Sequence, residues 1–264
     1  MTRLGKGGTN VNAEWERFLR CRDLEQLLSS PPGEIKGKAL EIGCGSGYLT
    51  GILGTCFEEI IPTDVKPRGT VPGVVMADAQ KLPFVDQSFD FVFSSNVLEH
   101  IDDIYVCLEE LRRVMAPGAT MLHTMPTSSW KVFQVLTHPI HLLMIVFKKF
   151  LRRNSRNDRI DHSVEKVGEG ALGRSLIAKA TPAIHGISSN HFREFLYFRP
   201  SSWKTLFERT GFEVLKVEPL FFHSPYKFLP FRFMKLRMIL ARIGLASVRG
   251  YWLRNNAVGY PLGR

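Results

Sequence analysis

Apolar positions change their period several times along this chain. From Asn12 to Leu28, the residues Trp15, Phe18, Leu19, Leu24, Leu27 and Leu28 recur at helical spacing, and Ser29-Ser-Pro-Pro-Gly33 supplies a stop. Short apolar runs then alternate with helical stretches. Lys38-Ala-Leu-Glu-Ile42 predicts a strand running into a Gly-rich turn, and Tyr48 to Gly54 a helix. Glu59-Ile-Ile-Pro-Thr-Asp64 predicts a second strand, Gly73-Val-Val-Met-Ala77 a third, and Phe89-Asp-Phe-Val-Phe-Ser94 a fourth. The fourth is apolar almost throughout, as suits a strand covered on both faces. Asp102 to Met115 predicts a helix with Ile104, Leu108, Leu111, Val114 and Met115 on one side, stopped by Pro117-Gly118, and Ala119 to Met125 predicts a fifth strand. Strands alternating with helices imply a parallel sheet wound on both faces.

The rhythm then breaks. Residues 130–190 show no strand period, and the alternation returns with a helix at Ser201–Thr210 and a strand at Phe212–Val217. An insertion of this length exceeds what a bare loop occupies in a compact domain, so part of it is expected to be helical. The chain divides into a leading segment with a cover helix (1–35), a ligand-binding core (36–128), a helical insertion (129–195), a closing helix and strand (196–223) and a basic amphipathic extension (224–264). Residues 1–10 are polar and Gly-rich and are expected to be disordered.

Charge sharpens that division. Residues 1–128 carry 12 Lys/Arg and 17 Asp/Glu, while residues 129–264 carry 23 and 8; from Lys227 onward there are eight basic residues and no acid. A basic half facing away from an acidic one calls for an anionic partner: a membrane surface, a nucleic acid or a phosphorylated substrate. The four cysteines, Cys21, Cys44, Cys56 and Cys107, form no CxxC pair, and no apolar leader opens the chain; free thiols in a reducing cytoplasm are expected.

The candidate chemistry gathers at strand ends. Gly43, Gly45 and Gly47 form a GxGxG turn between strand and helix, which bares the backbone and points helix N–H groups at a ligand. A dinucleotide turn needs GxGxxG, and its last glycine would fall at Tyr48. Glu41 precedes the turn on a buried strand, where a carboxylate is costly unless it meets a ligand's positive charge or a lysine. Asp64 ends the second strand, where it can accept both hydroxyls of a ribose or cap a helix. Asp78-Ala79 follows the third strand, within reach of an adenine amine.

Leu40-Glu-Ile-Gly-Cys-Gly-Ser-Gly-Tyr48, Asp64, Asp78-Ala-Gln-Lys-Leu-Pro-Phe84, Ser88-Phe-Asp-Phe-Val92 and Ser95-Asn-Val-Leu-Glu-His100 together resemble the type-11 group of class I methyltransferases. The resemblance covers about residues 36–126 and returns at Trp203–Val217, with Thr210-Gly-Phe212. It implies an α/β, Rossmann-like, doubly wound and mostly parallel seven-stranded sheet with a reversed last strand, here with a helical insertion after the fifth strand and a basic C-terminal extension. It also implies methyl transfer from S-adenosylmethionine. By that resemblance Glu41, Gly43, Cys44, Gly45 and Gly47 hold the methionine end, Asp64 and Val65 the ribose, and Asp78-Ala79 the adenine. Ser95 and Asn96 would line the mouth at the methyl donor.

An oxygen acceptor usually also needs a base, and His100 and Glu99 are the candidates, His100 the preferred one; Leu-Glu-His also occurs in relatives as helix-start packing. Ubiquinone-pathway O-methyltransferases, which the chain resembles, hold a metal with Glu-x-x-Glu-His. Asn96 replaces the first carboxylate here, so no metal is expected. His185, His191 and His223 read as structural or surface residues. Nucleic acid is disfavoured as acceptor: Ser94-Ser-Asn-Val97 stands where amine methylation of bases uses a Pro-Pro turn, and no Pro-Cys nucleophile follows a strand. The expected acceptor is small or lipid-linked.

Val132–Leu151 is apolar but interrupted by His138, Pro139 and His141, so its longest clean run is Leu142–Phe147; Lys148, Lys149, Arg152, Arg153, Arg156 and Arg159 follow. Phe231–Val248 is a second apolar stretch, with Arg232, Lys235, Arg242 and Arg249 near one face at helical spacing. Two basic amphipathic helices could lie in an anionic lipid interface, giving a cytoplasmic protein peripheral at the membrane. Alternatively, their apolar faces pack on the sheet. A protein that keeps the fold without catalysis, binding a partner or membrane, is the other functional class.

Overall fold

Strand β1 (Lys38–Ile42) is buried along four of its five residues and lies near the middle of a seven-stranded sheet ordered β3-β2-β1-β4-β5-β7-β6. The computed structural model describes residues 11–156, 182, 190–223 and 233–256, side chains of 11–13, 148–150 and 152–156 excepted. Residues 1–10, Arg159, His185, Lys227, Phe231 and Arg232 therefore lie outside the described residues. In chain order the elements are α1 (Val11–Leu28), β1, α2 (Thr50–Leu53), β2 (Glu59–Asp64), β3 (Val75–Met76), β4 (Phe89–Ser95), α3 (Ile104–Val114), β5 (Met115–Pro126) and α4 (Ser128–Arg156). Then follow α5 (His191–Tyr197), α6 (Pro200–Arg209), β6 (Phe212–Pro219), α7 (Met234–Leu240) with a π-helical turn at Ala241–Leu245, and β7 (Val248–Asn255).

Strands β1 to β5 pair in parallel, and β7 runs antiparallel to both β5 and β6. The mostly parallel, doubly wound α/β sheet expected from the sequence is present, with one reversed strand. Its place is unexpected. Residues 248–255 fall in the stretch whose charge predicts a basic extension, and helical spacing predicts Arg249 on a helix face; both belong instead to β7, between β5 and β6.

Period-two alternation sorts the strand residues onto two cores. Leu40 and Ile42 face one side with Val92, Met121 and Leu253, covered by α3 (Leu108, Leu111) and α6 (Trp203, Phe207). Ala39, Phe91, Phe93, Leu122 and Trp252 face the other, covered by Leu24 and Leu27 of α1 and Leu53 of α2. The α3 helix starts where Asp103 accepts from the backbone N–H groups of Tyr105 and Val106, and α6 starts on Pro200, whose missing N–H costs nothing there. Three boundaries differ from the sequence reading. The helix expected over Tyr48–Gly54 and the strand over Gly73–Ala77 shrink to four and two residues. Pro117-Gly118 does not stop α3, because the chain is already in β5 at Met115 and the pair sits at a shift of register against β4.

The α4 helix leaves the sheet two residues after β5 and carries Pro139 within it. Its first turns meet α5 through a buried ion pair, Lys131 to Glu194 at 2.6 Å, and Lys131 also donates to Gln134 at 2.8 Å. Buried pairs of this kind hold a unique arrangement rather than add much net stability. His191 lies 3.8 Å from Glu194, and His223 meets Asp23 of α1 at 2.7 Å, so both histidines serve packing contacts.

Gly250 of β7 is where α1 seats on the sheet: a Cβ there would stand 2.5 Å from Leu27 Cδ2. Gly250→Val should therefore destabilise the fold by about 1–3 kcal/mol, the usual cost of overpacking. In urea unfolding, Leu27→Ala in the same chain should recover part of that loss; simple additivity of the two changes would contradict this packing.

Candidate active site

The sheet's connections go outward in one direction from β1 to β3 and in the other from β4 onward, so a crevice opens past the carboxyl ends of β1 and β4. A cavity of about 670 Å³ occupies it. Glu41, Gly43, Cys44, Gly45, Asp64, Val65, Ala79, Ser95, Asn96 and His100 all line this cavity. Of the candidate site residues named from sequence, Gly47, Asp78 and Glu99 are not in the lining.

The glycine turn works differently from the sequence expectation. Gly43, Gly45 and Gly47 all take positive φ (69°, 59° and 72°). A Cβ at Gly43 would strike Val97 at 2.5 Å, and one at Gly47 would strike Val71 at 2.8 Å, whereas the Cβ position at Gly45 is open. Two glycines thus permit close packing and the third leaves space for a ligand. The N–H groups are largely spent within the protein. Cys44 N–H donates to Thr63 O, Gly45 N–H to Asp64 Oδ2 and Gly47 N–H to Cys44 O. A turn with those donors consumed is a poor phosphate cradle, which physically separates this site from a dinucleotide fold.

Asp64 is the hinge of that arrangement. Its other oxygen accepts from Lys66 N–H at 2.7 Å, so one carboxylate ties the end of β2 to the turn after β1. Asp78 instead closes its own turn, accepting from Gln80 N–H at 2.9 Å, and leaves Ala79 to face the cavity.

Glu41 is 2% exposed, and one of its oxygens accepts from the Thr50 hydroxyl at the start of α2. Burial pushes its carboxyl up to about 7, helped by the nearby charge of Asp64. A carboxylate half-protonated near neutrality and facing a cavity asks for a cation. Burial, with Glu41 and Asp64 adding to it, raises the Cys44 thiol to about 11, so this cysteine is no nucleophile at neutral pH. Glu99 turns inward, with burial lifting it to about 8, while His100 turns outward with half its side chain exposed; the two stand 3.9 Å apart. Of the two, His100 alone lines the cavity.

Three arginines were not anticipated. Arg17 and Arg20 of α1 and Arg68 of the loop after β2 line the same cavity. Arg17 donates to Ser46 of the glycine turn at 3.1 Å and lies over the Tyr48 ring, 5.4 Å from its centroid. Arg20 meets Asn96: in the amide orientation that satisfies both neighbours, Asn96 accepts from Arg20 at 3.2 Å and donates to Thr124 O at 3.3 Å. Asn96 takes φ 52°, a left-handed conformation asparagine tolerates, and this aims its side chain at the cover helix. The signal was present in the sequence, since Arg17 and Arg20 are three apart and share a helix face, but nothing there showed that this face covers the crevice.

The residues present suit a ligand with an ammonium or sulfonium end, a ribose and an apolar-bordered base. Glu41 supplies the anion, Asp64 and Val65 the end of β2, and Ala79 a buried apolar border.

A family model described as "Methyltransferase domain" matches residues 14–217. Among curated proteins, a "Malonyl-[acyl-carrier protein] O-methyltransferase" of Serratia marcescens is 31% identical over 109 residues, 37% of this chain and 42% of that protein. A "Probable phthiotriol/phenolphthiotriol dimycocerosates methyltransferase 2" of Mycobacterium ulcerans is 37% identical over 112 residues, 38% of this chain and 43% of that protein. The matched stretch spans less than half the length of either relative. Among solved structures, an S-adenosylmethionine dependent methyltransferase from Mesorhizobium loti superposes with a TM-score of 0.51 at 15% identity, over 88% of this chain and 97% of that one. At that identity the likeness is one of fold.

Since a cation favours the ionised form of Glu41, affinity for a cationic ligand should rise as pH climbs toward the Glu41 value of about 7. From pH 6 to pH 7 the ionised fraction grows about fivefold, and S-adenosylmethionine affinity by calorimetry should follow it. Glu41→Gln should bind weakly and flatten that slope; a pH-independent wild-type affinity would remove Glu41 from the role.

Proposed function

As the chain belongs to the methyltransferase-domain family, matched over residues 14–217, we propose that it transfers a methyl group from S-adenosylmethionine to a small or lipid-linked acceptor. The observation that carries this reading is the convergence of Glu41, the Gly43–Gly45 turn, Asp64, Ala79 and the Ser95–Asn96 strand end on one cavity. The family and the fold imply S-adenosylmethionine as donor, and the spent N–H groups of the turn argue against a pyrophosphate in the same place.

In this reading Glu41 takes the donor's amino group, Asp64 and Val65 the ribose, and Ala79, with Asp78 behind it, the adenine. Gly47 supports the turn from outside the lining. Arg17, anchored on Ser46, suits the donor's carboxylate. When bound, S-adenosylmethionine supplies an activated sulfonium methyl group, so the protein's main task is to align the acceptor and exclude water. His100, exposed at the cavity beside Ser95 and Asn96, takes the proton an acceptor hydroxyl releases. Arg20 and Arg68 place positive charge around the opening, which favours an acceptor bearing an anionic group. The names of the relatives support such an acceptor: one is named for malonyl-[acyl-carrier protein], the other as a probable methyltransferase of phthiotriol/phenolphthiotriol dimycocerosates. The reading places the protein in the cytoplasm, with a lipid-linked acceptor presented at a membrane.

A scaffold that keeps the fold without catalysis is the second reading, and one experiment separates the two. Calorimetric titration should show S-adenosylmethionine binding and no NAD binding; failure to bind S-adenosylmethionine would sink the main reading. Incubation with methyl-labelled donor and cell extract should then label one acceptor, and binding without any label transfer would favour the scaffold. On that acceptor, His100→Ala should slow transfer by about 10²-fold or more while leaving donor affinity unchanged. An unchanged rate would mean the acceptor arrives already ionised.

A further inference from the structure

The α4 helix is inside out. Along its first turns the face that packs on the protein carries Lys131, Gln134 and His138, all buried, with Lys131 only 1% exposed. The opposite face carries Leu136, Ile140, Leu143, Phe147 and Leu151, spaced by three or four residues, with Leu136, Leu143 and Phe147 at 65%, 70% and 61% exposure. In water a surface helix normally buries its apolar stripe and shows its charges. Here the Lys131–Glu194 pair holds the polar face against α5, so the apolar stripe has nowhere to turn but outward. The stripe is about 22 Å long at 1.5 Å per residue. The adjacent α7 and its π turn repeat the motif, with Leu236, Ile239 and Ile243 exposed. Both segments meet at Phe222, which stacks edge-on with Phe133 of α4 and accepts from Arg237 of α7 through its carbonyl.

We propose that α4, with α7 beside it, docks in the plane of an anionic lipid surface. Three observations select a lipid interface over other occupants. The stripe passes directly into Lys148, Lys149, Arg152, Arg153 and Arg156 in the last turns of the same helix, the combination by which an in-plane helix inserts apolar side chains and meets headgroup charge. The same run of cations would repel a second copy paired in parallel along this face. The window Ser128–Phe147 is apolar enough to cross a membrane by length and composition, yet one side of it is committed to Lys131, Gln134 and Glu194. That commitment keeps protein on one flank and turns only the other to lipid.

The docking helix is tied closely to the site. The α4 helix begins two residues after β5, and Thr124 of β5 donates to Ser95, part of the cavity lining. Docking α4 therefore engages lipid through a helix joined directly to a strand end that borders the cavity. This goes beyond the proposed methyl transfer and stands on different residues.

The test uses the full chain with sucrose-loaded vesicles of phosphatidylcholine containing 30% phosphatidylglycerol, against phosphatidylcholine alone. Anionic vesicles should sediment the protein at least tenfold more effectively, and raised salt or alkaline carbonate should release it. Leu136→Ser with Leu143→Ser should weaken vesicle binding at least tenfold while S-adenosylmethionine titration and circular dichroism stay as in the wild type. Indifference to lipid charge, full binding by the double variant, or resistance to carbonate (a spanning helix) would each overturn the proposal. So would a stable dimer in sedimentation without vesicle binding. Loss of S-adenosylmethionine binding in the wild type would strike the methyl-transfer reading and leave the docking result to stand.

Discussion

The site depends on one carboxylate. Asp64, at the end of β2, accepts from the backbone of Gly45 and from that of Lys66, and so locks the turn after β1 onto its neighbouring strand. Thr63 adds a second clasp, its hydroxyl donating to the Glu41 carbonyl at 2.8 Å and its carbonyl accepting from Cys44. With the turn pinned, Glu41 is trapped beneath it and Thr50 is brought over its carboxyl. With Glu41 trapped, the cavity has a buried acid that stays half-ionised near neutrality until a cation arrives. Each step follows from the one before. A side chain that could merely have touched a ligand is also the bolt that shapes the place for one.

Much of this was legible in the sequence because parallel sheets write themselves plainly: buried strands, then a turn, then a helix. The strands at Lys38–Ile42, Glu59–Asp64 and Phe89–Ser95 fall where the apolar runs place them. Ten of the thirteen candidate site residues named there, Glu99 included, line one cavity. What escaped had physical reasons. Strand β7 reads Val-Arg-Gly-Tyr-Trp-Leu-Arg-Asn, and its arginines merged with the surrounding cations until only a basic tail was visible. Arg17 and Arg20 sit on a helix whose position over the crevice depends on Leu27 seating against Gly250, a contact between residues more than two hundred positions apart. The N–H groups of the glycine turn looked available because sequence spacing says nothing of where Asp64 and Thr63 point.

The split of charge also gains a structural sense. The acidic first half supplies the cavity lining and its buried acids, whereas the basic second half supplies strands β6 and β7 and helices α4 to α7. The two halves interlock, since α1 rests on β7 and Asp23 holds His223 and the backbone of Phe221. Polar residues in α4 are spent on internal fixation, and the apolar ones are left for the outside. Lys131 and Glu194 bury together in that arrangement, and removing one partner of a buried pair costs about 3–5 kcal/mol.

Strand β7 also sets a timetable. Among the described residues it is the last strand made, yet it occupies an inner place, and no other described strand pairs with that edge of β5. Roughly 120 residues separate the two strands, which at 5–20 residues per second is on the order of ten seconds of synthesis. Through that interval the nascent chain carries an open strand edge bearing Met121, Leu122 and Met125, followed at once by the apolar outer stripe of α4. An unpaired apolar edge is what ribosome-associated chaperones shield and what aggregates when they do not. The surface that would rest on lipid in the finished protein is thus exposed while the fold is least complete, and an early encounter with a membrane would shelter it.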